Sequence, residues 1–262
     1  MYNFVMKLLF SFILISLCLL IWSMFIEPNI LIVKHLTIHD EQLKGLKIVF
    51  ASDFHVKPHE TYRLNKIVRT INEQNPDIVL FGGDYVNGHK KGNSLSIEKI
   101  AKKFSYIVSK YGTYVVIGNH DGWQGKEEII EALKKNGINV LFNNNACFKD
   151  FCIAGVDDLQ TGNPDIEKAL SGVNKPVILL THTPDIMPNV PYNVNLTLAG
   201  HLHGGQVRLN KALIVPSIYG DKYANGFLND NGKKIYTTKG LGTSILPIRF
   251  NCPPEIVVIE FP

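Results

Sequence analysis

The stretch LKIVFASDFH, residues 46–55, joins an apolar run to a polar end. A run of this length that is apolar on both faces is typical of a strand in a sheet covered on both sides. The segment that follows has apolar residues at helical spacing, i, i+3, i+4 and i+7, namely Leu64, Ile67, Val68 and Ile71. A strand followed by an amphipathic helix predicts a βαβ unit, the building block of an α/β sandwich.

The same order recurs along the chain. DIVLFGG (77–83) and TYVVIGN (113–119) are each followed by a helical pattern, the second being KEEIIEALKKNG (126–137), in which Gly137 is placed as a C-cap. After residue 200 the helical period disappears. The remaining strand patterns, VRL, ALIV, KIYTT (234–238) and EIVVIEF (255–261), predict a second and mostly antiparallel sheet. We expect two stacked sheets with helices outside.

The N-terminus has a different composition. Residues 8–26 contain no charge, are apolar on every face, and have the length of a membrane-spanning helix. This pattern disfavours a buried core helix. A cleaved signal peptide is the rival interpretation, but no small-residue cleavage site follows the run. We therefore expect residues 1–27 to be an uncleaved single-pass anchor in the cell membrane. Lys7 favours a cytoplasmic N-terminus, which places residues 28–262 as one extracytoplasmic domain.

Composition excludes some partners. The 262 residues carry a formal net charge of only +4, and the lysines and arginines are scattered, so nothing favours nucleic acid. No feature indicates an obligate protein partner. The four cysteines show no metal-binding spacing, and we expect ordinary packed thiols. Cys147 and Cys152 could form a disulfide across a hairpin, but only in an oxidising compartment.

Metal-ligating residue types follow five of the apolar runs. The pattern is DFH at 53–55, D at 84, NHD at 119–121, H at 182 and HLH at 201–203, and it contains five of the nine histidines. The carboxyl ends of neighbouring strands can converge on one crevice. Glycines before Asp84, Asn119 and His201 allow a sharp turn after each strand. The other histidines have no such context and are predicted to be surface or packing residues: His35, His39, His59 and His89.

The size of the set indicates more than one ion. Seven candidate ligands exceed what one ion with an open position can use, namely Asp53, His55, Asp84, Asn119, His182, His201 and His203. Two divalent ions sharing a carboxylate would use them all. A mixed oxygen and nitrogen set suits Mn, Fe or Zn better than Mg or Ca. If the GHLH segment is extended, its two histidines point the same way, which suits two imidazoles that approach neighbouring ions from one side.

These five blocks, in this order, resemble those of the calcineurin-like metallophosphoesterases. The similarity extends from about residue 46 to the end, because GHLHGGQVRL, KGLGTSILPIRF and PPEIVVIEF resemble the membrane-associated YkuE-like branch. The resemblance implies a four-layer αββα sandwich of two mixed β-sheets. It also implies one metal at Asp53, His55, Asp84 and His203, a second at Asp84, Asn119, His182 and His201, and His120 as the acid beside the phosphate.

The residues suggest a matching mechanism. Two neighbouring cations can hold a hydroxide and direct it at phosphorus. His120 can protonate the leaving oxygen, and Asp121 could set its tautomer or raise its pKa. Asn119 is a candidate substrate contact, and so is Arg249, whose guanidinium is shaped to bind a phosphate.

The expected function is hydrolysis of a phosphodiester or pyrophosphate bond by a metal-bridged hydroxide. An anchored site suits a lipidic substrate such as UDP-2,3-diacylglucosamine, by analogy with related branches. The alternative is a broad-specificity phosphomonoesterase at the membrane or cell envelope. A binding scaffold without activity should lack ligand positions, and a nuclease should carry a basic stripe; the sequence shows neither feature.

Overall fold

The computed structural model describes residues 2–212 and 214–262. Helix α1 spans Tyr2–Ile21, and the helical path continues through a π-type turn at Trp22–Ile26 and a 3₁₀ turn at Glu27–Asn29. The segment Phe4–Asn29 is long and apolar enough to cross a membrane, and its most apolar part is not buried against the rest of the protein. It is the one candidate span among the described residues.

The first sheet contains six strands in the order β1-β12-β2-β3-β4-β5. Their bounds are β1 Ile32–Thr37, β12 Glu255–Glu260, β2 Lys47–Ala51, β3 Ile78–Phe81, β4 Thr113–Val115 and β5 Asn139–Val140. Three helices belong to this half: α2 Thr61–Glu73, α3 Ile97–Phe104 and α4 Asn119–Lys135. The predicted βα order is confirmed, and Gly137 follows α4 with a φ of 78°, as expected of a C-cap glycine.

The second sheet also has six strands, in the order β10-β11-β9-β8-β7-β6. Their bounds are β10 Gly226–Asp230, β11 Lys233–Thr237, β9 Leu196–Ala199, β8 Val177–Leu180, β7 Cys152–Gly155 and β6 Asn144–Cys147. A short helix, α5 Ile166–Ala169, and a 3₁₀ turn at Pro184–Asn189 lie in this half. Both sheets mix parallel and antiparallel pairs.

The prediction of a mostly antiparallel second sheet is wrong. Strands β7, β8, β9 and β11 are parallel to one another. Only the two outer pairs are antiparallel, β6 with β7 and β10 with β11. The EIVVIEF segment instead forms β12 in the first sheet, between β1 and β2. The VRL segment forms only isolated bridges at Val207 and Arg208, and residue 213 of ALIV lies outside the described residues. Strand propensity identifies strands, but pairing depends on contacts distant in sequence.

The side chains of each strand alternate between two cores, which explains the continuous apolar runs. In β2, Ile48 and Phe50 face the second sheet, while Val49 and Ala51 pack against α2 and α3. The far face of the second sheet packs against α5 and the 3₁₀ turns, through residues such as Ala169 and Met187. The order of layers is αββα, as predicted, with an outer layer on the second sheet built from short turns.

Cys147 and Cys152 are joined by a disulfide. They lie directly opposite each other in the β6–β7 hairpin, with Cα atoms 4.1 Å apart. The expectation of ordinary packed thiols is therefore wrong for this pair. Cys252 is a buried free thiol, and Cys18 is exposed on the N-terminal helix.

Candidate functional site

All seven predicted metal ligands lie at one edge of the two sheets. They follow β2, β3, β8 and β9 or begin α4, and each is less than a tenth exposed: Asp53, His55, Asp84, Asn119, His182, His201 and His203. Parallel strands end at the same edge, so residues as far apart in sequence as His55 and His203, 148 positions, meet there. Which residues bind metal remains a prediction, but the structure brings the whole set together.

The backbone at this edge is unusual. Five of the seven residues have a positive φ, a conformation that non-glycine residues seldom adopt: Asp53 (54°), His55 (40°), Asp84 (57°), His201 (69°) and His203 (51°). Such conformations persist only where the surrounding structure enforces them, and they cluster at functional sites. The fold therefore keeps an unfavourable backbone conformation at these residues, and that conformation places their side chains at the site.

Two of the three glycines that precede Asp84, Asn119 and His201 have a different role from the predicted one. Only Gly83 has a left-handed φ, at 94°. A side chain at Gly118 would collide with the Asp84 carboxylate, and one at Gly200 would collide with Ser52 and Asp53. Glycine is thus needed at these two positions because the loops approach each other closely, and not because the chain turns there.

One group of donors contains Asp53, His55, Asp84 and His203, and we call it the His55 group. The Nε2 atoms of His55 and His203 are 3.1 Å apart. Nε2 of His203 is 3.5 Å from Oδ1 of Asp53, and Nε2 of His55 is 3.5 Å from Oδ2 of Asp84. We call the ring nitrogen that does not face the other donors the outer nitrogen. In His55 and His203 this is Nδ1, which is buried and has no hydrogen-bond partner among the described residues.

The second group contains Asp84, Asn119, His182 and His201, and we call it the His182 group. Nε2 of His182 and Nδ1 of His201 are 3.2 Å apart, and each is 2.9 Å from Oδ1 of Asn119. Here the outer nitrogens have partners. Nδ1–H of His182 donates to the carbonyl of Gly82 at 2.6 Å, and the amide of Gln160 is 3.1 Å from Nε2 of His201.

Asp84 lies between the two groups. Its Oδ2 is 3.5 Å from Nε2 of His55 and 3.3 Å from Nε2 of His182. Its Oδ1 accepts a hydrogen bond from the backbone N–H of His120 at 2.8 Å. This is the position expected of a carboxylate shared by two ions.

The electrostatics fit divalent cations. Burial lowers the pKa of His55 to about 3 and that of His201 to about 4, so both rings are neutral and can offer a lone pair. Burial raises the pKa of Asp53 to about 7, and the Asp84 carboxylate raises it further, although His182 opposes the shift.

The electrostatics of the His182 group favour a protonated His182. Burial opposes protonation of His182, but the adjacent Asp84 carboxylate raises the pKa of the ring well above its usual value. The His182 side chain in turn holds the pKa of Asp84 below its usual range, although burial alone would raise it. A bound cation would replace that proton, because metal binding requires neutral imidazole. Converging nitrogen and oxygen donors with this charge pattern fit a pair of divalent metal ions.

His120 lies beside both groups. Its ring centroid is 4.6 Å from that of His55, and its Nδ1–H donates to the carbonyl of Gly88 at 3.0 Å. This contact fixes the tautomer of a neutral ring and directs Nε2 toward Ser244, whose Oγ is 3.4 Å away. The side chain of Gln124 donates to the same Gly88 carbonyl.

Asp121 does not orient His120, and that prediction is wrong. Its buried carboxylate accepts backbone N–H groups, including those of Asp84 at 2.8 Å, Tyr85 at 2.9 Å and Gly118 at 3.0 Å. Burial raises its pKa to about 7. Asp121 therefore stabilises the two loops that place Asp84 and Asn119, instead of acting on the histidine.

Arg249 is not available to a substrate, which corrects the second predicted contact. The side chain is fully buried. Its guanidinium donates to backbone carbonyls, among them those of Cys252 at 2.8 Å and Lys239 at 2.9 Å, and also to Gly242. Asn119 is part of the His182 group through its Oδ1, and a contact between Asn119 and substrate remains a prediction.

The HLH segment is a turn and not an extended strand. His203 begins a 3₁₀ turn that ends at Gly205. The two rings nevertheless diverge into separate groups, His201 to the His182 group and His203 to the His55 group. The predicted separation is present, although left-handed backbone at both histidines produces it.

Three neighbours of the site are not among the residues predicted to belong to it. His89 is exposed, as predicted, but its ring centroid is 5.2 Å from that of His120 and 4.4 Å from that of Trp123. Gln160 and Ser244 contact His201 and His120. None of these residues follows a strand pattern, so no local signal in the sequence could have identified them.

Comparison with known proteins agrees with the geometry. The family model described as "Calcineurin-like phosphoesterase" matches residues 46–205. The chain is 32% identical over 253 residues to the uncharacterized metallophosphoesterase YkuE of Bacillus subtilis, covering 90% of this chain and 87% of the relative. It is 34% identical over 242 residues to the phosphodiesterase YaeI of Escherichia coli, covering 87% of each.

More distant similarities follow. The chain is 30% identical to a Danio rerio "Transmembrane protein with metallophosphoesterase domain", covering 84% of this chain and 54% of that protein. A dimetal phosphatase from Danio rerio aligns with 76% of the chain and 88% of its own length, at 12% identity and a TM-score of 0.47. A 5'-nucleotidase precursor from Thermus thermophilus aligns with 74% of the chain at 17% identity and a TM-score of 0.46, and the chain spans 48% of its length.

Proposed function

Because the chain belongs to the calcineurin-like phosphoesterase family, we propose that it hydrolyses a phosphodiester or pyrophosphate bond in a lipid-linked substrate at a membrane. It is a metal-dependent phosphoester hydrolase. The observation that carries the proposal is the position of Asp84 between two donor groups, with His120 beside them.

We assign the two metals by donor group. Asp53, His55, Asp84 and His203 hold one divalent ion, and Asp84, Asn119, His182 and His201 hold the other. Mn, Zn or Fe suits this mixture of carboxylate, amide and imidazole donors. The ions supply Lewis acidity and an activated water nucleophile.

The protein's own residues do the rest. When protonated on both ring nitrogens, His120 would donate the Nε2 proton to the leaving oxygen and return to the neutral Nδ1–H tautomer, in which Nδ1–H donates to the Gly88 carbonyl. Asp121 and the glycines keep the loops close enough to hold the donors in position. The low exposure of the donors limits the water that competes with substrate.

Three observations support the finer parts of the proposal. A relative named a phosphodiesterase is 34% identical to this chain, which favours a diester. The candidate span Phe4–Asn29 favours a membrane-bound substrate such as UDP-2,3-diacylglucosamine. The Cys147–Cys152 disulfide favours an oxidising compartment, and so an extracytoplasmic catalytic domain, residues 28–262, behind an anchor at residues 1–27.

The test uses the full chain in detergent. The protein is stripped with a chelator, then supplied with Mn, Zn, Fe or no metal. Each form is assayed on bis-p-nitrophenyl phosphate, p-nitrophenyl phosphate and UDP-2,3-diacylglucosamine. We expect metal-dependent turnover, with the diester and the lipid faster than the monoester. Equal turnover of monoester and diester would instead indicate a broad-specificity phosphomonoesterase, and metal-independent or absent turnover would refute the proposal.

A further inference from the structure

The loop at residues 244–248, SILPI, exposes apolar side chains beside the candidate site. Ile245 is 96% exposed and Leu246 is 58% exposed. Ile245 has a φ of 63°, in the left-handed region that a β-branched residue rarely adopts. A large aliphatic side chain is thus directed outward although its backbone conformation is strained.

This loop is attached to the end of the N-terminal helix. The backbone N–H of Arg249 donates to the carbonyl of Ser23 at 2.9 Å, and Ser23 lies within the candidate span Phe4–Asn29. The side chain of Glu27 accepts a hydrogen bond from the backbone of Cys252 and another, at 2.7 Å, from the indole of Trp22. Ser23 and Glu27 are buried. The loop is therefore fixed next to the membrane end of the anchor.

The same loop reaches the candidate site. The backbone N–H of Ser244 donates to Oε1 of Gln206 at 2.8 Å, and Nε2 of Gln206 donates to the Ser244 carbonyl at 3.0 Å. Gln206 is three residues from His203. A cavity of about 340 Å³ lies here, and its lining includes Lys57, His120 and Ser244.

We propose that the 244–248 loop inserts into the bilayer surface and that the cavity beside His120 opens there. The occupant of this apolar loop is the lipid bilayer, because the loop is continuous with the candidate span through the Arg249–Ser23 hydrogen bond. Aliphatic side chains at a membrane boundary gain stability by leaving water. Lys57 gives the cavity a positive charge suited to a lipid headgroup phosphate. This inference rests on the proposed function and identifies how a lipid would reach the site.

The first experiment measures the position of the loop without using activity. In the full chain carrying Cys18→Ser, an environment-sensitive fluorophore is attached to Ile245→Cys, to Leu246→Cys or to the control Val108→Cys. Val108 is 73% exposed and lies beyond α3, before β4, toward the opposite edge of the sheet. The proteins are reconstituted in phosphatidylcholine and phosphatidylglycerol vesicles with lipids carrying a spin-label quencher near the headgroup.

The labels at 245 and 246 should be quenched several-fold more than the label at 108, with emission shifted to the blue. Equal quenching at all three positions, or none, would overturn the proposal. A second result would also overturn the proposal. If the label at position 245 were shielded from water in detergent without lipid, and if this shielding were lost when the protein was diluted, the loop would be an interface between copies of the chain.

The second experiment links the loop to substrate access. The double variant Ile245→Glu, Leu246→Glu is compared with Val108→Glu on vesicle-embedded UDP-2,3-diacylglucosamine and on soluble bis-p-nitrophenyl phosphate. The ratio of lipid to soluble activity should fall at least about tenfold in the loop variant only. An unchanged ratio would overturn the proposal. If the wild type hydrolyses neither compound, the proposed function fails, while the quenching experiment still decides where the loop lies.

Discussion

The two donor groups differ in how their imidazoles are held. In the His182 group, the outer nitrogen of His182 donates to the Gly82 carbonyl and that of His201 is next to Gln160. In the His55 group, the outer nitrogens of His55 and His203 have no partner among the described residues. Those two rings are oriented by stacking on each other, with centroids 4.9 Å apart, and by left-handed backbone.

This difference has a consequence for metal affinity. Hydrogen bonds to the outer nitrogen of a ligand fix its tautomer and orientation, and their loss typically weakens metal binding 10- to 100-fold. The His182 group has such bonds before an ion binds, whereas the imidazoles of the His55 group are positioned by ring stacking and backbone conformation. We therefore expect the ion of the His55 group to exchange more readily.

The largest effect should follow Asp84→Asn, which removes the feature common to both groups. An amide cannot supply the negative charge that two ions share, so both metals should be lost and turnover should fall to background. Metal content per folded molecule and hydrolysis of bis-p-nitrophenyl phosphate measure this. The control is Asp157→Asn, a buried carboxylate that pairs with Lys126 and contacts no side chain of either donor group among the described residues. It should lower the melting temperature and retain metal. Full metal content in Asp84→Asn would contradict the shared role.

The next largest effect on turnover is expected from His120→Ala. His120 belongs to neither donor group. Loss of a general acid should lower kcat by about 10²- to 10⁴-fold while the content of both metals is unchanged. The loss should shrink for a substrate with a better leaving group, because such a group needs less protonation. A variant that lost metal, or that slowed good and poor leaving groups equally, would show that His120 is not the acid.

A smaller and more selective effect is expected from His203→Ala and His201→Ala. The first should lose the ion of the His55 group, and the second should weaken the ion of the His182 group, so each retains about one metal per chain. Elemental analysis after dialysis against a weak chelator separates the two. His39→Ala, at an exposed histidine, should retain both ions. Identical metal content in the two site variants, unchanged from wild type, would remove the distinction between the groups.

The smallest effect on metal affinity is expected from removing Gln160, the partner of His201. Gln160→Ala should weaken metal binding by the His182 group about 10-fold, near the lower end of the range for such contacts, because Gln160 is exposed and water can replace it. Competition with a chromogenic chelator measures the affinity. Gln74→Ala removes a glutamine side chain that donates to the Thr70 carbonyl of α2, and it should have no effect. Equal affinities for wild type and Gln160→Ala would show that the outer nitrogen of His201 needs no partner.

Sequence reasoning succeeded where chemistry follows local pattern. The strand-end positions of Asp53, Asp84 and His182 were predicted because a buried strand and its polar terminus are adjacent in the chain. It failed for Asp121 and Arg249. Both are charged residues close in sequence to predicted site segments. The Asp121 carboxylate, however, accepts hydrogen bonds from a loop distant in sequence, and the Arg249 guanidinium donates to carbonyls of turns whose conformation has no local sequence signal.

The sequence by itself determined the buried strands that end at the site, the amphipathic helices, the apolar N-terminal segment and the residue types available at the strand ends. These follow from hydrophobic periodicity and from chemistry that neighbouring residues share. Only the tertiary structure decided the order of the second sheet, the disulfide, the sorting of histidines into two groups, and the contact between the N-terminal helix and Arg249 at the end of the 244–248 loop. Each depends on the meeting of segments far apart in the chain, and such contacts are set by packing and loop closure, which no local window contains.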